Sequence, residues 1–93
     1  MFLNKLNQTK SLVHLGELLI NQSAASAVPL LLRAQQLAAE INDTAYLLYS
    51  YRALRKADKK RGNIAGSLAY AEKEIQMLTI LKDEEIAKQM ALS

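Results

Sequence analysis

The side chains with most chemical potential lie between Arg52 and Arg61, where Arg52, Arg55, Lys56, Lys59, Lys60 and Arg61 are offset by Asp58 alone. On a helix, Arg52, Lys56 and Lys59 recur at intervals of four and three and form one cationic stripe. Guanidinium and ammonium groups so arrayed suit charge-assisted hydrogen bonds to carboxylates. The ordinary alternative is a solvated helix end whose cations oppose the negative pole of the helix.

The other polar groups do not assemble into a reaction centre. His14 and Glu17 share a helix face, but one histidine and one glutamate fall short of the three or four ligands of a metal site, so His14 reads as a packing or surface residue. Serines are plentiful, yet none has a histidine and a third orienting group nearby, and no cysteine is present. Asp83-Glu84-Glu85 and the Glu72/Glu74 pair could in principle do acid–base work. Neighbours on a helix point in different directions, however, and these read as solvated charges. Gly62-Asn63-Ile64-Ala65-Gly66 follows a helix and not a strand, so it is no phosphate loop. The residues predict a binding protein without enzyme activity, metal or cofactor.

Helices must position the cationic stripe. Of the 93 residues, 51% are hydrophobic and 5% aromatic, and with three glycines and one proline there is little material for the many turns of a sheet. The scattered Val13, Val28, Thr9, Thr44 and Thr79 make no strand-like run. Net charge is +3: three cations against two acids up to Asn42, and nine against seven after it. So mild a balance does not demand a polyanion, and nucleic-acid binding lacks aromatic interleaving beyond Tyr49 and Tyr51.

Lys5 and Lys10, the apolar stretch 11–20 and Ala25-Ser26-Ala27 imitate a signal peptide, but His14 and Glu17 interrupt the apolar part. No stretch reaches the ~18 apolar residues of a membrane span, and no membrane association is expected. The expected location is cytoplasmic, or periplasmic for a chain derived from a sensor protein.

Apolar spacing and punctuation predict four helices in one all-α domain spanning 1–93. The first covers about Leu3–Ile20, with Leu12, Leu15, Leu18 and Leu19 inward, a fraying entry, and Asn21-Gln22-Ser23 as its end. The second runs from about Ser26 to Ile41 on a stripe of Ala27, Leu31, Ala34, Ala38 and Ile41, with Pro29 in its first turn, where a missing N–H is harmless. Asp43 is placed to cap the third helix, Thr44–Arg61, whose inward residues are Leu47, Tyr51, Leu54 and Ala57 or Asp58. Gly62 ends it.

The fourth helix starts near Ile64, with Ile64, Leu68, Ala71, Ile75 and Leu78 on one inward face, and continues to about Lys82. Acids at 83–85 suit a helix start better than a helix end. Residues 83–93 therefore form either a short fifth helix, Asp83–Ala91, or a fraying extension. The short linkers make antiparallel hairpins of about 3–41 and 44–82, an internal duplication.

Ala27-Val28-Pro29, Leu31, Ala34, Leu37-Ala38 and Glu40-Ile41-Asn42-Asp43 resemble the second helix and exit of a tetratricopeptide repeat. Tyr51, Leu54 and Gly62-Asn63 continue the likeness, as does Leu68-Ala69-Tyr70-Ala71-Glu72-Lys73. The wording is similar to repeats in the sensory regions of bacterial histidine kinases and diguanylate cyclases, where an ending like Leu81-Lys82-Asp83 leads towards a signalling helix. The resemblance covers about Ala24–Lys82. Ser67 and Glu74 stand where the second repeat would have its two small alanines, and Gln22-Ser23 replaces a glycine turn.

The resemblance implies an α-solenoid fragment that works as an adaptor or scaffold in signalling. It also implies that Tyr49, Arg52, Lys56 and Lys59 face a concave groove for an acidic peptide or partner protein. The second reading is a self-associating helical oligomer, since arrays of fewer than about three repeats leave apolar faces uncovered.

Overall fold

The chain turns where side chains can satisfy the backbone groups a helix end leaves open. At the first turn Ser23 is extended (φ −157°) and its Oγ accepts the Ser26 amide at 3.2 Å, which starts the second helix at Ala24, two residues earlier than expected. At the second, Asn42 adopts the left-handed region (φ 54°), and the Asp43 N–H donates to the Ala38 carbonyl at 2.9 Å. Asp43 then accepts the Tyr46 amide at 3.0 Å, the expected cap. The third turn repeats this geometry: Gly62 sits at φ 82°, the Asn63 N–H donates to the Asp58 carbonyl at 2.8 Å, and Asn63 Oδ1 accepts the Gly66 amide at 3.0 Å.

The computed structural model describes residues 2–92, so Met1 and Ser93 lie outside it. Among the described residues there are four helices and no strand: α1 Phe2–Ile20, α2 Ala24–Glu40, α3 Thr44–Arg61 and α4 Ile64–Leu92. The class is all-α, arranged as helical hairpins. α2 packs between α1 and α3, α1 also meets α3, and α4 runs alongside α3 alone.

Small side chains set the spacing of these helices. Ile20, Ala27, Leu31, Ala53, Leu54 and Ala57 form the central cluster, joined by half-buried Val28 and Tyr70. A β-carbon at Gly16 would collide with Leu31 Cγ and Cδ2, so this glycine is what lets α1 lie against α2. Leu31, Leu37 and Leu54 are fully buried, each contributing about 1.5–3 kcal/mol by transfer from water. Thr9 and Ser50 are also fully buried, and each returns its hydroxyl to a carbonyl one turn back, Lys5 and Tyr46, at 2.7 Å.

Several inward faces differ from expectation. α1 buries Thr9, Val13, Gly16 and Ile20, while Leu15 and Leu18 are exposed. α3 buries Leu48, Ser50, Ala53, Leu54 and both Ala57 and Asp58, with Leu47 and Tyr51 only half-buried. α4 turns Ser67, Tyr70, Glu74, Met77 and Leu81 towards α3 and leaves Ile64, Leu68, Ile75 and Leu78 in solvent. On α1 close approach selects the smaller side, Thr9, Val13 and Gly16, whereas on α4 the pairing of Glu74 with Arg52 and Arg55 and the stacking of Tyr70 on Tyr51 hold a mixed face inward.

Three boundary expectations are also corrected. α1 is helical from Phe2, its start tied to the end of α2 by a Lys5–Glu40 ion pair of 3.1 Å. Pro29 lies in the second turn of α2 and not the first. It withholds the amide that would serve Ala25, but both residues are exposed and water can take that carbonyl. The fifth helix does not exist as a separate element, because α4 continues through Asp83-Glu84-Glu85 to Leu92. No glycine or proline stops it, and acids in a helix interior are ordinary helix formers that can pair with Lys88 a turn later.

Candidate functional site

The cationic stripe stands on α3 because that helix is central: its apolar side is consumed by α1, α2 and α4, and its polar side must take the remaining direction. Tertiary contacts then divide the six cations. Arg52 Nε and Arg55 Nε donate to the two oxygens of Glu74 on α4, at 2.8 and 2.6 Å. Arg61 pairs with Asp58 at 3.1 Å, and Lys60 Nζ reaches the side-chain oxygen of Asn21 at 3.3 Å. Lys56 and Lys59 make no ion pair with the described residues.

Glu74 is the residue whose role the sequence hid. It read as a solvated charge, but its side chain is only 12% exposed and it is held by both arginines. Burial acts to raise its pKa, yet the hydrogen bonds and charges of Arg55 and Arg52 outweigh burial and hold the carboxyl below its ordinary value. The available signal was an acid standing where a small residue was expected, with two arginines three residues apart on the preceding helix.

Beside this clamp, Tyr51 and Tyr70 stack at 6.2 Å with planes 28° apart. The Tyr70 pKa is raised, chiefly by burial and secondly by the negative charge of Asp58. Asp58 Oδ2 fills the space against Gly66 in the first turn of α4, so a β-carbon there would strike it.

On the outer side of α3, a depression of about 360 Å³ is lined by Tyr49, Arg52 and Lys56 together with Glu17, Ile20 and Asn21 of α1. Three of the four anticipated residues therefore meet there. Lys59 lies one turn on, exposed, and does not line it. Tyr49 is steadied by an edge-to-face contact with Tyr46 at 5.3 Å and 89°. Arg52 is committed to Glu74 through Nε, which leaves its terminal nitrogens as donors.

The α1 wall was not foreseen. In the sequence Glu17 stands beside His14, which lies on an exposed part of α1, and nothing local links it to α3. Among the described residues no cluster of three or more His, Asp or Glu side chains could hold a metal, and no helix is long and apolar enough to cross a membrane.

Comparison with known families, curated proteins and solved structures gave no match.

Proposed function

We propose that this chain is a tetratricopeptide-like interaction module that binds an acidic segment of a partner protein in the trough between α1 and α3. The observation that carries the reading is the convergence of Tyr49, Arg52 and Lys56 with Ile20, Asn21 and Glu17 in one depression. Ile20 and Tyr49 offer an apolar floor, and Arg52 and Lys56 offer donors for a carboxylate. Glu17 repels a second acid, so the guest's negative charge belongs on the α3 side, towards Lys56 and Lys59. Two antiparallel hairpins stacked through α2 and α3, with α1 also against α3, support the tetratricopeptide-like reading. So shallow and polar a trough suits a transient partner, with Kd in the range of about 1–100 μM.

Fluorescence anisotropy with labelled acid-rich peptides carrying a free C-terminal carboxylate tests this. Lys56→Glu, exposed and unpaired, should weaken binding about tenfold, which corresponds to ~1.4 kcal/mol, and added salt should weaken it further. Lys10→Glu, exposed on α1 and outside the trough, serves as the control. Equal affinity in all three proteins removes the reading. Arg52 is not a clean probe, because reversing it also breaks the Glu74 clamp.

A further inference from the structure

α4 carries a long apolar face that none of the described residues covers. Ile64, Leu68, Ile75, Leu78 and Ile86 are between 45% and 63% exposed. Their combined area, on the order of 500 Å² per chain, falls within the ~300–600 Å² of the largest apolar patch on a monomer, which is often functional, and with flanking polar groups approaches the ~800 Å² per partner of a standard interface.

The fold's own repetition identifies this face as an interface. Ser23 caps α2 and Asn63 caps α4, forty positions apart, so Ile64, Leu68, Ala71, Ile75 and Leu78 occupy the places of Ala24, Val28, Leu31, Gln35 and Ala38. On α2 those places are covered: Ala24, Val28 and Leu31 belong to the core built with Ala53, Leu54 and Ala57, and Gln35 bonds Tyr51 of α3. A helix therefore belongs on α4 where α3 lies on α2. From Ile64 to Leu78 the apolar spacing is four, three, four, three, the seam of a two-helix coiled coil.

We infer that the covering helix is α4 of a second copy of this chain, packed antiparallel about a two-fold axis that crosses the exposed face at the height of residue 77. Centred there, Leu68 faces Ile86, Ile75 faces Thr79, Glu72 faces Lys82, and no like charges meet. A parallel pair would set Glu72 against Glu72 and Lys73 against Lys73, a repulsive arrangement.

The length of α4 fits the same register. Its 29 residues span about 43 Å against about 27 Å for α3. Thr44 Oγ1 near Glu84 marks where α3 begins, so residues after 84 run past it and would lie along the first half of the partner's helix. The outward side of α1 is a poorer mate, since Leu15 and Leu18 are interrupted by Ser11, His14 and Glu17. Two like faces related by a two-fold axis close into a dimer and do not propagate.

Sedimentation equilibrium from about 1 to 100 μM decides the question, on the scale of affinities such an interface supports. The expected species has twice the 10.3 kDa chain mass. Leu68→Glu with Ile75→Glu should leave a helical monomer, because both side chains are exposed within the chain, and should weaken association at least ~100-fold. Glu72→Lys should weaken the dimer, and adding Lys82→Glu should restore it. A monomer throughout, a mass that keeps growing with concentration, a dimer indifferent to Leu68→Glu/Ile75→Glu, or no rescue by the charge swap would each overturn the proposal. Helicity of every variant is checked by circular dichroism.

Discussion

Replacing Glu74 by Gln keeps the shape of the α3–α4 clamp and removes its charge. Glu74 accepts from Arg52 and Arg55, and a hydrogen bond to a charged group contributes about 1.5–3 kcal/mol where water is excluded. The arginine side chains are 38% and 30% exposed, so each contact is reduced towards the ~1 kcal/mol of a surface pair. The expected loss is therefore about 2 kcal/mol, which for a domain of this size lowers Tm by about 10 °C. Because α4 runs alongside α3 alone, hydrogen exchange should show α4 amides losing protection well before those of α2.

The effect must also depend on pH. The folded-state pKa of Glu74 lies below its unfolded value, so its contribution is complete above the ordinary carboxylate range near ~4.3 and is lost as pH falls through the lower folded value. Urea denaturation of the two proteins should give curves that are well separated at neutral pH and draw together on acidification. A variant within ~0.3 kcal/mol of the parent, or a gap unchanged down to about pH 3, would refute the clamp as a stabilising contact.

The remaining expectations concern packing and caps. Gly16→Ala gains about 1 kcal/mol of helix propensity but drives a β-carbon into Leu31, an overpacking cost of about 1–3 kcal/mol, so urea denaturation should show a net loss near 1 kcal/mol. Asp43→Ala should lose about 1 kcal/mol in the same assay by freeing the Tyr46 amide. Leu54→Ala, in the fully buried core, should lose about 3 kcal/mol, whereas Leu78→Ala, measured at concentrations where the chain is monomeric, should change stability by less than ~0.5 kcal/mol.

Local signals in the chain were enough to place the three turns between helices. Asp43, Asn63 and the Gly62 turn act within a few residues of themselves, and the free amides and carbonyls they satisfy exist whatever the helices later touch. Of the two alternatives at Asp83, the separate fifth helix did not form, on the same principle: adverse end charges act at an end, and nothing there makes one.

Which face of each helix is buried was a different matter. Apolar periodicity marked Leu15, Leu18, Leu68 and Ile75 as inward, and all four are exposed. Thr9, Val13 and Gly16 at intervals of four and three carried the better signal, one of size and not of hydropathy. The candidate trough divides in the same way. Tyr49, Arg52 and Lys56 shared a helical stripe and could be read together, but Glu17, Ile20 and Asn21 joined them only through the packing of α1 against α3.

From its residues alone this chain determined an all-helical class, the three turns and a cationic central helix, because caps, propensities and charge spacing are properties of neighbours in sequence. Only the tertiary structure decided that Glu74 binds two arginines, that Gly16 admits α1 to α2, and that the richest apolar face of α4 looks outward. Each of those depends on how closely two helices approach, and that distance is set by the summed volumes on both surfaces, a quantity no single segment contains.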